Sequence, residues 1–248
     1  MIFLSFDGDS PWSNYAFFIN SDAYRRALVG TLFLSAIVAV VVVLVSTILA
    51  WFLRFSQSRL LKGLILISIL APFMMGVVVK NYSLALFLQQ DGVVSRIWEL
   101  VPVIGAPIDL MYTPTAVVIG IAYSVLPYGV LPLTLVFAHV EQSQIDAAKM
   151  LGAAKHQAFM NAVVPQILPG VLASGALVFM MSIGYYVTPV MLGGAGSPFL
   201  ASLIHRQVFQ QFDISAASAS GAILVLSAAL VLIAVILGIG VRRLRRYI

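Results

Sequence analysis

The first long apolar run of the chain begins at Ala27 and ends at Leu53, and it reads ALVGTLFLSAIVAVVVVLVSTILAWFL. The run contains no charged side chain. A helix rises about 1.5 Å per residue, so about 20 apolar residues suffice to cross the hydrocarbon core of a bilayer. The run therefore predicts a membrane-spanning helix.

Four further apolar runs follow, and they predict a polytopic all-α bundle with five main spans in one transmembrane domain, residues 1–248. The runs are Gly63–Val79, Met111–Ala138, Val163–Val187 and Ile214–Val241. The second run is slightly short for a span but can continue past Lys80 to Leu88. The third contains three prolines, which helices in a membrane bundle tolerate. The Gly193-Gly194-Ala195-Gly196 stretch is expected to break any helix between the fourth and fifth spans.

The overall composition agrees with a membrane protein. Hydrophobic residues make up 61% of the chain and charged residues 9%, whereas about a quarter of the residues of a soluble domain are charged. The formal net charge of +5 fits basic residues at the cytoplasmic ends of helices, so we do not expect nucleic acid as a partner. The chain has no cysteine, and its three histidines lack metal-like spacing, so neither a metal nor a cofactor is expected.

The charged residues are distributed unevenly between the two sides of the predicted spans. With the C-terminus in the cytoplasm, the inside segments hold nine of the 14 basic residues, namely Arg54, Arg59, Lys62, Lys149, Lys155, Arg242, Arg243, Arg245 and Arg246. The same segments hold the acids Glu141 and Asp146, and the other seven of the nine acids fall outside. Because basic residues collect in cytoplasmic loops, we expect a cytoplasmic C-terminus and, with five spans, an outside N-terminus.

The segment 139–165 joins the third and fourth predicted spans on the cytoplasmic side. Good helix formers predict a short helix over Gln144–Met150, which Gly152 should end, and a second short helix over Ala153–Ala162. Ala147 and Ala148 are expected to form a smooth face that another protein could approach closely. By spacing alone, an ordinary connector between spans fits this segment equally well.

The same segment resembles the signature of binding-protein-dependent ABC importer permeases. That signature consists of Glu-Ala-Ala, three residues, Gly, nine residues and then a sequence such as Ile-x-Leu-Pro. This chain has Asp146-Ala147-Ala148, then Gly152, then Val163-Val164-Pro165. In that family the segment is the coupling helix that docks on the ATP-binding subunit. The resemblance thus implies coupling to an ATPase through Glu141, Asp146, Ala147, Ala148, Leu151 and Gly152.

Further stretches resemble the spermidine/putrescine branch of the type I importers, over about residues 1 to 240. They are Ala71-Pro72-Phe73, Lys80-Asn81-Tyr82, Thr113-Pro114-Thr115-Ala116-Val117-Val118-Ile119-Gly120, Leu126-Pro127-Tyr128, Val130-Leu131-Pro132-Leu133, Tyr186-Val187-Thr188-Pro189 and Leu192-Gly193-Gly194. The resemblance implies a bacterial inner-membrane subunit that forms half of a translocation pathway for a small polar solute. It implies a second homologous permease, a dimer of ATP-binding subunits and an extracytoplasmic solute-binding protein as partners.

Two features depart from the pattern of this branch. Its members usually open with another spanning helix ahead of the segment resembling Ser5–Asn20, which this sequence lacks; either the gene start is placed too late or the subunit functions with a five-helix core. Many members also carry an acidic residue near the position of Gly184 or Tyr185, where this chain has none. Because an intramembrane carboxylate suits a cationic ligand, the solute stays open between a polyamine and a related amino compound.

Several polar and aromatic residues are candidates for the substrate pathway. They are Lys80, Tyr82, Tyr123, Tyr128, Tyr185, Tyr186 and Thr188. Each also has an ordinary interpretation: at the outer end of the second span Lys80 can snorkel to the headgroups, and tyrosines are common at membrane interfaces.

Missing motifs separate the remaining classes of function. The chain has no G-x-x-x-x-G-K-[ST] loop to hold ATP phosphates, so we expect no enzyme activity here and ATP hydrolysis in a partner subunit. A secondary carrier or a channel acting without an ATPase is the alternative. A proton-driven carrier ordinarily needs intramembrane acids, which the predicted spans lack, and a channel leaves the 146–165 pattern unexplained.

Overall fold

The computed structural model describes residues 12–99, 110–150, 152–194 and 199–244. These residues fold into helices joined by short turns, with no strand among them. The helices are α1 Ser13–Asn20, α2 Asp22–Phe55, α3 Arg59–Met74, α4 Val77–Leu88, α5 Val93–Glu99, α6 Pro114–Ala138, α7 Gln142–Met150, α8 Lys155–Ala158, α9 Val164–Ile183, α10 Val187–Leu192, α11 Leu200–Phe209 and α12 Ile214–Leu244. A π-helical turn, Phe159–Val163, joins α8 to α9.

Four continuous helical segments of the described chain are long and apolar enough to cross a membrane. They are α2, α6, the segment Phe159–Ile183 and the part of α12 at Ile214–Val235. They confirm the first, third, fourth and fifth predicted spans, with boundaries shifted by a few residues. The fourth begins four residues before its predicted start because the π turn continues directly into α9.

The second predicted span is not one continuous helix, and that expectation was wrong. The chain leaves the helical conformation at Met75 and Gly76, both extended, and the helical segment Val77–Arg96 then continues at 117° to α3. Counted as one broken span, the pair brings the total to five. Gly76 favours this break without requiring it, because glycine is unfavourable in a helix interior and here stands as the N-cap of α4.

The core lies between α2, α6 and α9, which pack against one another along much of their length. Its apolar residues come in stripes from each helix, for example Val38 and Val42 of α2, Ile121 of α6 and Val178 of α9. Gly129 of α6 lets α2 approach closely, because a Cβ there would lie 2.5 Å from Ser46 Oγ.

The short helices α10 and α11 pack over one end of this three-helix core. The Leu200 N–H at the start of α11 donates to Thr31 Oγ1 of α2 over 2.7 Å, which satisfies an otherwise orphaned donor. The predicted break is confirmed where α10 ends: Gly193 caps the helix and Gly194 adopts φ +67°. Ala195 and Gly196 lie outside the described residues.

Candidate coupling surface and polar pathway

The helix α7 rests on an apolar cluster at one end of the bundle, which we call the loop-end cluster. It consists of Ala50, Leu133, Phe137, Val140, Ile145, Val163 and Ile167. Trp51 of α2 packs beside it, with its ring centroid 5.1 Å from that of Phe159 in a T-shaped contact. The Arg54 guanidinium donates to the Val140 carbonyl over 3.3 Å. Through these contacts α7 is attached to α2, α6 and the start of α9.

The predicted pair of short helices in this segment is confirmed, with α7 followed by α8 and the π turn. The turn between them depends on Gly152, which adopts φ +85°, a left-handed conformation that favours glycine. The Ala153 N–H donates back to the Ala148 carbonyl over 3.1 Å. The Gln157 side chain then accepts from the Ala154 N–H over 3.1 Å at the start of α8. The backbone here is fixed by local hydrogen bonds.

The structure divides the predicted coupling residues between two faces of α7. Ala148 is half-buried against the loop-end cluster, whereas Ala147 is exposed, so the expected smooth face of two alanines was wrong. Residues 147 and 148 are adjacent, and adjacent helical positions point about 100° apart. Glu141 and Gly152 are also exposed, and Asp146 accepts from the Gln142 amide over 3.1 Å. Leu151 lies outside the described residues.

An exposed methionine extends the outer face of α7. Met150, one turn after Ala147, is 89% exposed. A long, flexible apolar side chain in this position is suited to an irregular apolar pocket on another protein. A groove of about 660 Å³ opens beside the same helix, lined by residues that include Ile48, Gln142 and Ile145.

A buried polar pair occupies the opposite part of the bundle. Lys80 and Asn81 of α4 are 6% and 1% exposed, and Thr188 of α10 is fully buried. The Thr188 hydroxyl donates to Asn81 Oδ1 over 3.1 Å, while Asn81 Nδ2 has no hydrogen-bond partner in the described chain. Lys80 forms no ion pair with any acid among the residues that the structure describes.

The unpaired amide nitrogen of Asn81 is energetically unfavourable where it lies. A buried amide N–H without a partner costs roughly 1–3 kcal/mol. Groups of this kind in a membrane protein mark positions where something else supplies the missing partner.

The predicted tyrosines separate into two groups. Tyr128 and Tyr185 are half-buried against the core, and Tyr185 lies beside Ser124 and near Tyr128. The Tyr128 ring also makes a T-shaped contact with Phe73 at 5.9 Å between centroids. Tyr82, by contrast, is 60% exposed. Tyr123 of α6 is half-buried.

Tyr186 belongs to a different, outer surface. Its ring stacks on His205 with centroids 4.5 Å apart, and His205 in turn contacts Phe209 at 4.6 Å. Tyr186 thus lies at the surface, although Thr188, two residues further on, is buried. The seven predicted pathway residues do not converge on one point.

Sequence reasoning missed Asn81 and Met150. Asn81 carried a signal, because an amide inside an apolar run needs a partner, but it stood between two more conspicuous candidates, Lys80 and Tyr82. The exposure of Met150 depends on which face of α7 the loop-end cluster covers, and that is a tertiary property.

Comparison with known protein families gives one broad match. Residues 43–248 match the family described as the inner membrane component of binding-protein-dependent transport systems.

Individual relatives agree with this match. The chain is 32% identical over 158 residues to the spermidine/putrescine transport system permease protein PotB of Salmonella typhimurium (strain SL1344), covering 64% of this chain and 55% of that protein. Identity to PotB of Escherichia coli (strain K12) is 29% over 184 residues, covering 74% and 66%. The chain therefore matches less than two thirds of the length of these curated relatives.

A solved structure shows the same fold. A bacterial alginate ABC transporter, crystallised in complex with an alginate pentasaccharide-bound periplasmic protein, contains a chain that superposes with a TM-score of 0.73. Sequence identity is 15%, and the match covers 94% of this chain and 83% of that one. The helical arrangement described above is thus that of a type I ABC importer permease.

Proposed function

The chain belongs to the family of inner membrane components of binding-protein-dependent transport systems, and from this premise we propose that it forms half of a translocation pathway driven by a separate ATPase. The observation that carries the proposal is the attachment of α7 to the loop-end cluster, with Ala147 and Met150 left exposed on its outer face. Residues 139–165 are then the coupling loop within a single transmembrane domain.

The contacts of α7 suit the transmission of force. Ile145 is buried in a cluster that also contains residues of α2, α6 and α9. Close-packed interiors resist compression, so a displacement of α7 moves the helices behind it rather than deforming the contact. On the outer face, the small Ala147 allows close approach of the ATPase, Met150 provides an apolar contact, and Glu141 and Asp146 lie at the margin.

We assign the loop-end cluster to the cytoplasmic side of the inner membrane. Arg54, Arg59 and Lys62 lie at or beside the turn between α2 and α3 at this end, and the bias of basic residues toward cytoplasmic loops supports the placement. The C-terminal end of α12 is cytoplasmic by the same reasoning. A second homologous permease, a dimer of ATP-binding subunits and an extracytoplasmic solute-binding protein complete the importer.

The transported solute is a small polar compound, polyamine-like or a related amino compound. The relatives in the spermidine/putrescine branch support this class. Lys80, Thr188 and the tyrosines Tyr82, Tyr123, Tyr128, Tyr185 and Tyr186 are the pathway candidates, and those that the structure buries or half-buries within the bundle are Lys80, Tyr123, Tyr128, Tyr185 and Thr188.

Two substitutions in the coupling segment test the proposal. Ala147→Arg places a charged, bulky side chain on the outer face of α7 and should abolish uptake and the ATPase response to the loaded binding protein. Gly152→Val forces a β-branched residue into φ +85°, which costs about 1–2 kcal/mol and should distort the turn that positions α7.

The readouts are copurification with the ATPase, ATP hydrolysis in proteoliposomes and the amount of permease in the membrane. Ala147→Ser is the matched control and should behave as the unmodified protein. Uptake and stimulated hydrolysis that both survive Ala147→Arg would show that the ATPase docks elsewhere.

A further inference from the structure

We propose that Lys80 and Asn81 bind a carboxylate of the transported solute, so that the solute is an amino compound with an acidic end rather than a plain diamine. The inference rests on the proposed function, because it assigns a ligand class to the pathway of the same permease.

Both side chains lie on the part of α4 that faces the rest of the bundle. Residues four apart share one side of a helix, so Lys80 aligns with Leu84 and Asn81 with Ala85. A Cβ built on Gly120 of α6 would lie 3.4 Å from the Leu84 side chain, and Ala85 packs in a cluster with residues of α6 and α10. The polar pair therefore lies one turn from the point where α4, α6 and α10 meet.

The unsatisfied groups of the pair are hydrogen-bond donors. A lysine ammonium has three N–H donors and accepts nothing. The Asn81 carbonyl oxygen already accepts from the Thr188 hydroxyl over 3.1 Å, which directs the amide nitrogen away from that contact. Asn81 Nδ2 is buried and has no partner among the described residues. A ligand group that satisfies both side chains must therefore be an acceptor.

A carboxylate meets this requirement in charge as well as in hydrogen bonding. One of its oxygens can accept from Asn81 Nδ2, and the positive charge of Lys80, at the preceding position of the helix, favours an anion there over a cation. The ammonium of a diamine would add a second positive charge and more donors, leaving Asn81 Nδ2 without a partner. The pair thus discriminates between two ends that a linear amino compound can carry.

A matched pair of probes tests this discrimination. 4-Aminobutanoate and 1,4-diaminobutane have the same length, and one end is a carboxylate in the first and an ammonium in the second. Binding of each radiolabelled probe is measured to the complex of permeases and ATPase, in nanodiscs of phosphatidylcholine and without the solute-binding protein. We expect the unmodified complex to bind 4-aminobutanoate about tenfold or more tightly than the diamine.

Substitutions at the two positions separate charge from hydrogen bonding. Lys80→Met should remove the preference for 4-aminobutanoate, and Lys80→Glu should invert it in favour of the diamine. Asn81→Leu, which keeps the branched shape but removes the donor and also the acceptor of the Thr188 hydroxyl, should weaken 4-aminobutanoate binding about tenfold and leave diamine binding unchanged. Lys62→Met, which removes a half-buried lysine of α3, is the control and should keep the preference.

Several results would overturn the proposal. Equal binding of both probes to the unmodified complex, or an unchanged preference in Lys80→Met, excludes a carboxylate site at this pair. Loss of 4-aminobutanoate binding on adding phosphatidylglycerol would assign the donors to a lipid headgroup. If the ATPase copurifies and responds normally, these results refute the carboxylate site alone; if it does not copurify, the proposed function itself fails.

Discussion

Replacing Gly129 with alanine should destabilise the bundle through a single close contact between α6 and α2. A Cβ at this position would lie 2.5 Å from Ser46 Oγ and 2.7 Å from Val42 Cγ1. Ser46 can rotate its hydroxyl away, but a β-branched valine in a helix has one strongly preferred side-chain rotamer. The two helices must therefore separate by several tenths of an ångström where they pack most closely.

The size of the destabilisation can be worked out by comparison with a glycine at which a Cβ would fit. A Cβ at Gly175 of α9 would lie 3.5 Å from Val43 Cγ2, an ordinary van der Waals contact. Both glycines lie in helix interiors, so the gain of about 1 kcal/mol in helix propensity on changing glycine to alanine applies to each and cancels. What remains is the cost of overpacking, about 1–3 kcal/mol. At about 2–4 °C per kcal/mol for a domain of this size, Gly129→Ala should melt several degrees below Gly175→Ala.

Thermal unfolding in detergent, followed by tryptophan fluorescence and circular dichroism, measures this difference. Val42→Ala in the Gly129→Ala background removes the clashing methyl and should recover part of the loss, with a coupling of about 0.5–3 kcal/mol. Melting temperatures of Gly129→Ala and Gly175→Ala within about one degree of each other would refute the close-approach reasoning.

Two further expectations concern the packing of α11 and the orientation of the chain. Thr31→Val removes the acceptor of the Leu200 N–H, so it should lower the free energy of unfolding by about 1–2 kcal/mol and increase proteolysis of α11. The control is Thr47→Val, which should change little because the Thr47 hydroxyl donates to a carbonyl of its own helix. Because the chain has no cysteine, Ser56→Cys and Gln211→Cys can be labelled selectively. A membrane-impermeant thiol reagent should reach Ser56→Cys only from the cytoplasm and Gln211→Cys only from outside. The reverse labelling pattern would contradict the charge-based orientation.

The spans could be predicted from the sequence because an uninterrupted apolar run has few ways to satisfy its backbone in lipid other than a helix. The interruption of the second span at Met75–Gly76 could not be predicted from the sequence. An isolated glycine within an apolar run is compatible with a continuous helix, and apolar content carries no information about helix direction. The 117° bend thus became visible only in the folded chain.

For the candidate site, the sequence likewise predicted the local structure but not the packing between helices. The helical character of α7 and the turn at Gly152 follow from local propensity, and the structure has both. Which side of α7 faces outward depends on the loop-end cluster, whose members are separated by more than 100 residues in sequence, from Ala50 to Ile167. The burial of Lys80 likewise depends on α10, and the Thr188–Asn81 hydrogen bond joins residues 107 positions apart.

The helix α6 connects the two regions physically. Near its start, Gly120 lies against Thr188 and Leu192 of α10, and near its end Phe137 belongs to the loop-end cluster. At about 1.5 Å per residue these positions are about 26 Å apart, so a tilt of about 5° at one end displaces the other by about 2 Å. A displacement of that size at Gly120 would change the contact that holds Thr188 against Asn81. A push on α7 can therefore reach the polar pair through the stiffness of α6, and its interior prolines, Pro127 and Pro132, are the positions at which that connection can bend.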